Sequence, residues 1–214
     1  MTEYEESVVD ALREHRYLER KMIQSKIFKT KAGGRYARTV LLKMHQREMI
    51  GRFREKECEE YIYHLGRKSQ KWSHWLDLNR FHFSLIKELK QWQRIIYWDY
   101  EVRYLYGVAD ALYIVRLTLE EGGISDGKGK GVSFFLEMDD GQNKFDKISK
   151  YLAYQQSKTW VKEWWGQAFP LVVIVTPRVE EIKEIARRCK AEKFFRVLKK
   201  EKEYIGIIKQ IKEG

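Results

Sequence analysis

Glu137, Asp139 and Asp140 stand together where an apolar run stops. The run is Val132–Asp139, Val-Ser-Phe-Phe-Leu-Glu-Met-Asp, and Gly141 follows the acids. An apolar and aromatic run of this length suits a buried β-strand and is short for a helix. A strand that ends in carboxylates carries them from a core to a rim, where a metal ion or a nucleic-acid backbone can reach them. A core strand that simply runs out into an acidic turn has the same sequence. The stretch alone does not separate the two readings.

The elements around it must position that rim. Arg94–Glu101 holds Ile95, Ile96, Tyr97, Trp98 and Tyr100, which predicts a strand ending in the acidic turn Asp99–Glu101. After Gly107, Val108–Leu117 predicts a second strand with Asp110 near its start. The glycine-rich stretch Glu120–Gly131 lacks the spaced Gly-Lys-Ser/Thr signature of a phosphate loop, so it predicts a hairpin connection. Lys144–Ser157 spaces Phe145, Ile148, Tyr151, Leu152 and Tyr154 along one helical face, with Lys144, Lys147, Lys150 and Lys158 exposed. Phe169–Thr176 predicts a buried strand closed by Pro177. Val179–Lys190 predicts a helix and Phe194–Leu198 an edge strand, while Lys199–Gly214 suits a strand or a helix equally. This order predicts an α/β sandwich with a mixed sheet. Its first strands are antiparallel, and a right-handed crossover helix leads to the Val172 strand.

The first third differs in pattern and in charge. Glu5–Arg16, with Leu18 continuing its apolar spacing, then Glu19–Phe28 and Arg35–Met49 predict three helices. The segments starting at Arg52 and at Tyr61 predict two strands, joined by the acidic stretch Lys56–Glu60. Helix, helix, helix, strand, strand is the winged-helix order. From Arg20 to Arg47 there are many lysines and arginines and no acid at all. A helix that enters the major groove needs such a face, because phosphates line both sides. Lys31, Arg35, Tyr36, Arg38, Thr39 and Lys43 are the expected DNA contacts, and Gly33 and Gly34 allow close approach to a phosphate. A solvated basic face on a helical domain of other purpose is the plain alternative. Glu55, Glu57, Glu59 and Glu60 argue that the wing points away from phosphate or meets a protein. Between the halves, Trp72, Trp75 and Trp92 and the apolar stripe of Arg80–Trp92 predict a connector helix capped by Asp77 or Asn79. Packing explains its aromatics better than stacking on single-stranded bases.

The 214 residues carry a net charge of +11, with 43% apolar and 34% charged residues. That balance suits a globular chain that meets a polyanion. No apolar run approaches a membrane span, and the acidic N-terminus lacks an apolar signal core, so the expected location is the bacterial cytoplasm with no membrane partner. Cys58 and Cys189 form no framework, and the five histidines form no zinc pair.

Taken together, Asp110 on one predicted strand, Glu137-x-Asp139 on the next and a lysine-bearing helix after it resemble the core of PD-(D/E)XK, restriction-endonuclease-like proteins. The resemblance implies a Mg²⁺ site with Glu101, Asp110, Glu137 and Asp139 as candidate ligands. It implies Asp110, Glu137, Asp139 and Lys147 as catalytic residues if the site is active. Asp139 stands where that motif has its lysine and Ala109 where it has its proline, so the implied domain is degenerate unless Lys144 or Lys147 supplies the charge. The chain also resembles the replication-relaxation family of plasmid and mobile-element proteins. Asp110-Ala-Leu112, Glu137–Gly141, Lys147–Tyr151, Phe169–Pro177, Trp75–Asn79 and Gly34-Arg35 carry that resemblance. It implies a two-domain α+β or α/β protein, a winged helix over 1–66, a connector over 67–93 and a nuclease-like domain over 94–214. The expected partner is double-stranded DNA, bound without a cofactor, in plasmid replication or DNA relaxation. A metal-dependent nickase and a scaffold for a relaxase or replication initiator are the alternatives, and a homodimer through the connector helix is compatible with each.

Overall fold

Thr2 starts the first helix. Its hydroxyl accepts from the Glu5 amide at 3.3 Å while the Glu5 carboxylate accepts from the Thr2 amide at 2.8 Å, a reciprocal cap that satisfies two otherwise orphaned donors. The structure is a computed structural model that describes residues 1–29, 33–91, 93–116, 131–166, 168–201, 204 and 206–213, apart from the side chains of 210, 212 and 213. The expectations for Lys31, for Trp92, for Leu117 and for the glycine-rich segment 120–130 lie outside the described residues. Among the described residues the chain is a mixed α+β protein with seven α-helices, a three-stranded sheet and a five-stranded sheet. It divides into two compact units, Met1–Phe83 and Ser84–Gly214.

In the first unit, α1 (Glu3–His15) buries Val8, Ala11, Leu12 and His15 and ends at Arg16, whose φ is +64°. Leu18, which the apolar spacing attached to this helix, lies instead in the short strand β1 (Tyr17–Glu19). The left-handed residue at Arg16 breaks the helix, and three residues are too few to show strand alternation. α2 (Arg20–Ile27) and α3 (Gly33–Gln46) follow. Gly33, the first residue of α3, lets the Phe28 backbone come close, since a Cβ there would lie 2.2 Å from the Phe28 carbonyl oxygen. β2 (Gly51–Phe53) and β3 (Ile62–His64) complete an antiparallel sheet in the order β1-β3-β2.

α4 (Trp72–Glu88) begins eight residues before the expected Arg80, so the expected caps Asp77 and Asn79 are interior. Both are buried. Asn79 donates to the carbonyls of His15 at 2.7 Å and Tyr17 at 2.8 Å, holding the end of α1 and the start of β1. Asp77 accepts from Arg80 at 3.2 Å, and Arg80 also binds Glu19. These residues are capping types by composition, but here Asn79 satisfies backbone from other elements and Asp77 pairs with Arg80 within α4.

The second unit is built on β4 (Arg94–Tyr104), β5 (Gly107–Arg116), β6 (Gly131–Met138), β7 (Leu171–Thr176) and β8 (Phe195–Lys199), in that spatial order. The first three strands are antiparallel, and β6, β7 and β8 run parallel. α5 (Lys147–Ser157) connects β6 to β7, and α6 (Val179–Arg188) connects β7 to β8. The undecided C-terminal segment contains the helix α7 (Ile207–Glu213). One sheet face carries Leu112, Phe135, Val172, Ile174 and Phe195 against Ile148, Tyr151 and Tyr154 of α5 and Ile182 and Ala186 of α6. The alternate positions Tyr113, Phe134, Leu136, Val173 and Val175 are buried too. Burial on both faces is why β7 reads as an unbroken apolar run. Among the described residues, no helix is long and apolar enough to cross a membrane.

Candidate functional site

The basic segment of the first unit sorts into two groups. Arg20 binds Glu60 at 2.7 Å, with Lys21 3.9 Å from the same carboxylate. Lys26 binds Glu14 at 2.5 Å, and Arg47 binds Glu5 at 2.7 Å. These cations neutralise acids of the unit itself. Arg35, Arg38 and Lys43 are different, because none has an ion-pair partner among the described residues. They lie on the exposed side of α3, opposite the buried Ala37, Val40, Leu41 and Met44. The same side carries Tyr36, Thr39, Leu42 and Gln46. Thr39 returns its hydroxyl to the Arg35 carbonyl at 3.3 Å. Tyr36 is half exposed, and its ring meets Tyr4 and Phe28 with centroids 5.3 and 5.7 Å apart. The expected contacts Arg35, Tyr36, Arg38, Thr39 and Lys43 therefore share one helix face.

The sequence reading left out Leu42 and Gln46. Their signal is the helical spacing 38, 42, 46, which places them in register with Arg38. Of the acids Glu55, Glu57, Glu59 and Glu60, Glu60 turns back to pair with Arg20 of α2.

In the second unit, β6 brings Glu137 to its end with only 1% exposure, so the acid sits inside rather than on a rim. One step beyond the Ala111↔Leu136 pair, Asp110 falls beside it across the sheet. Asp110 accepts from the Met138 amide at 2.7 Å. Lys147 was expected on the exposed side of α5, but it turns inward and donates to Glu137 at 2.6 Å and to the Val108 carbonyl at 3.0 Å. It begins α5, so its long stem can reach over the last turn of the core to the strand end. Tyr151, one helical turn further on, donates to the other Glu137 oxygen at 2.6 Å. Burial first, and then Asp110, push the Glu137 carboxyl up to about 8, although Lys147 and Tyr151 pull the other way. Burial alone would lower Lys147, but the carboxyls of Glu137 and Asp110 outweigh it and hold its pKa above the usual lysine value. Tyr104 stacks on Tyr151 at 4.8 Å and lines the same corner.

Asp139 does not join this cluster. It accepts from Thr176 at 2.6 Å, from the Gly141 amide at 3.0 Å and from two nitrogens of Arg178 at 3.1 and 3.2 Å. Arg178 is 39 positions away with no local pattern linking the two, so this partner was invisible in the sequence. Glu101 is exposed on β4, with φ +52°. Of the four candidate metal ligands, Asp110 and Glu137 are brought together and Asp139 is drawn elsewhere. Among the described residues, no group of three or more His, Cys, Asp or Glu side chains converges as a metal site would. Mg²⁺ is commonly held by one or two carboxylates with phosphate and water; Asp110 and Glu137 are neighbours, but both Glu137 oxygens already accept, from Lys147 and Tyr151.

Comparison of the chain with models of protein families, with curated proteins and with solved structures found no match.

Proposed function

We propose that this chain binds double-stranded DNA, with the first unit acting as a winged helix whose α3 enters the major groove. The observation that carries this reading is the distribution of ion pairs. Arg20, Lys26 and Arg47 meet acids of the same unit, while Arg35, Arg38 and Lys43 form a cationic face on one helix with no ion-pair partner among the described residues. A protein gains nothing in stability from like charges held close on a helix, whereas a phosphate backbone rewards them through counterion release. The small antiparallel sheet, with β1 between α1 and α2 and with β2 and β3 after α3, supports the winged-helix assignment, and the resemblance to replication-relaxation proteins supports a role in plasmid replication or DNA relaxation. Binding needs no metal.

The test is a gel shift of the full chain on duplex DNA in EDTA. Arg35→Glu with Arg38→Glu is expected to abolish the shift. Arg187→Glu with Arg188→Glu changes the net charge equally but removes cations already paired with Glu184, and is expected to retain it. Equal loss in both variants would show that only net charge matters.

A metal-dependent nuclease is the second reading, favoured by Lys147 reaching Glu137 beside Asp110. A bound Mg²⁺ would polarise a phosphodiester and its attacking water there. Within the chain, Lys147 would offer positive charge to the phosphate, and Tyr151 would hold the Glu137 carboxyl in place. This reading predicts nicking of supercoiled plasmid with Mg²⁺ or Mn²⁺ that Asp110→Ala removes. Intact plasmid across several metals rejects it.

A further inference from the structure

We infer that Leu42 reads a thymine methyl group, so that α3 recognises a duplex sequence containing a T·A pair and not only the charge of DNA. The inference rests on the duplex-binding reading above and extends it to specificity. Leu42 is 41% exposed. It sits among Arg38, Thr39, Lys43 and Gln46 on the cationic face of α3. Helix formation does not require leucine there, since lysine, glutamine or alanine serve a solvated helix position as well. The core does not require it either, because Val40, Leu41 and Met44 already fill the buried side.

A single exposed leucine is ordinary on a protein surface. The setting of this one is not, because an isobutyl group in the middle of an acid-free polar face interrupts the surface that phosphate would use. An apolar side chain in the major groove has one apolar partner on the base edges, the C5 methyl of thymine. The neighbours fit base reading as well. Arginine pairs with guanine and glutamine with adenine through two hydrogen bonds, and Arg38 and Gln46 flank Leu42 one helical turn away on either side. Thr39, one turn back, presents a short side chain that leaves room beside Leu42.

The experiment selects duplexes from a random-sequence pool with the full-length wild-type chain in EDTA. It then replaces each thymine of the selected site by uracil, which removes only the methyl. One thymine is expected at which the replacement weakens wild-type binding by about fourfold, the factor for burying a methyl-sized apolar group. Leu42→Ala should bind the thymine site about fourfold more weakly than wild type and lose the penalty for uracil at that position. Its salt dependence should be unchanged, whereas Arg38→Ala should flatten the salt slope by about one. Selected sites that tolerate uracil everywhere, or a Leu42→Ala variant that keeps the full penalty, overturn the role of Leu42 and leave duplex binding standing. A pool with no enrichment and no retained DNA overturns the duplex-binding reading itself.

Discussion

Glu137 holds its proton well into the neutral range because burial disfavours its charged form and Asp110 adds repulsion. Its ordinary value is 4.5 and its folded value is about 8. Between those two values the unfolded chain has released this proton while the folded chain retains it. The residue therefore contributes stability at low pH, and that contribution is lost as pH rises from about 4.5 to about 8. Glu137→Gln keeps one acceptor oxygen for Lys147, can donate its amide N–H to the Tyr151 oxygen, and cannot ionise. Urea denaturation at about pH 5 and about pH 9 is expected to show the wild type losing on the order of a few kcal/mol more than the variant across that interval. Parallel curves would mean that Glu137 is ionised in both states.

At the scale of elements, Asp139 joins the end of β6 to the turn between β7 and α6. Its backbone amide donates to Val175 at 2.8 Å, and its carboxylate collects Thr176 and Arg178. Removing it takes away the main carboxylate partner of a mostly buried guanidinium, leaving the Asn143 carbonyl and a long contact to Glu181, so Asp139→Ala is expected to lower unfolding stability by about 2–4 kcal/mol. Glu181→Ala loses only a 3.5 Å contact to the same arginine at an exposed position, and its effect is expected to stay below about 0.5 kcal/mol. Thermal or urea unfolding of the two variants measures both.

The same region shows what the sequence could and could not reveal. The strands β5, β6 and β7 were legible because unbroken apolar runs between turn residues have few other solutions. α3 was legible from its 3.6-residue spacing. The strand β1 was hidden because it is three residues long and continues the apolar spacing of α1. The start of α4 was hidden because Asp77 and Asn79 are cap-forming types whose partners here differ from caps: Asp77 pairs with Arg80 along the helix, and Asn79 meets the carbonyls of His15 and Tyr17 through packing. Asp110 and Glu137 were legible as acids on successive strands through the resemblance to nuclease-like cores, while the register that sets them side by side is seen only in the folded sheet. The inward turn of Lys147 was not, since its place on the helix predicts exposure and only the buried carboxyl draws it in.

For the whole molecule, the net charge of +11 is a statement about partners, not about fold. Self-repulsion of this size is tolerated more easily when acids elsewhere are paired locally, as Glu5, Glu14 and Glu60 are. On the proposed reading, the α3 cations without ion-pair partners among the described residues are the surface that a polyanion would meet. Salt dependence reads that surface directly, because each phosphate contact contributes about 0.9 to the slope of log affinity against log salt. The decisive measurement is duplex affinity of the full chain in EDTA over a series of salt concentrations, for wild type and for Arg35→Ala/Arg38→Ala/Lys43→Ala. A steep wild-type slope that falls by about 2–3 in the triple variant is the predicted result. A slope unchanged by the triple substitution, or no duplex binding by the wild type at low salt, would contradict the account.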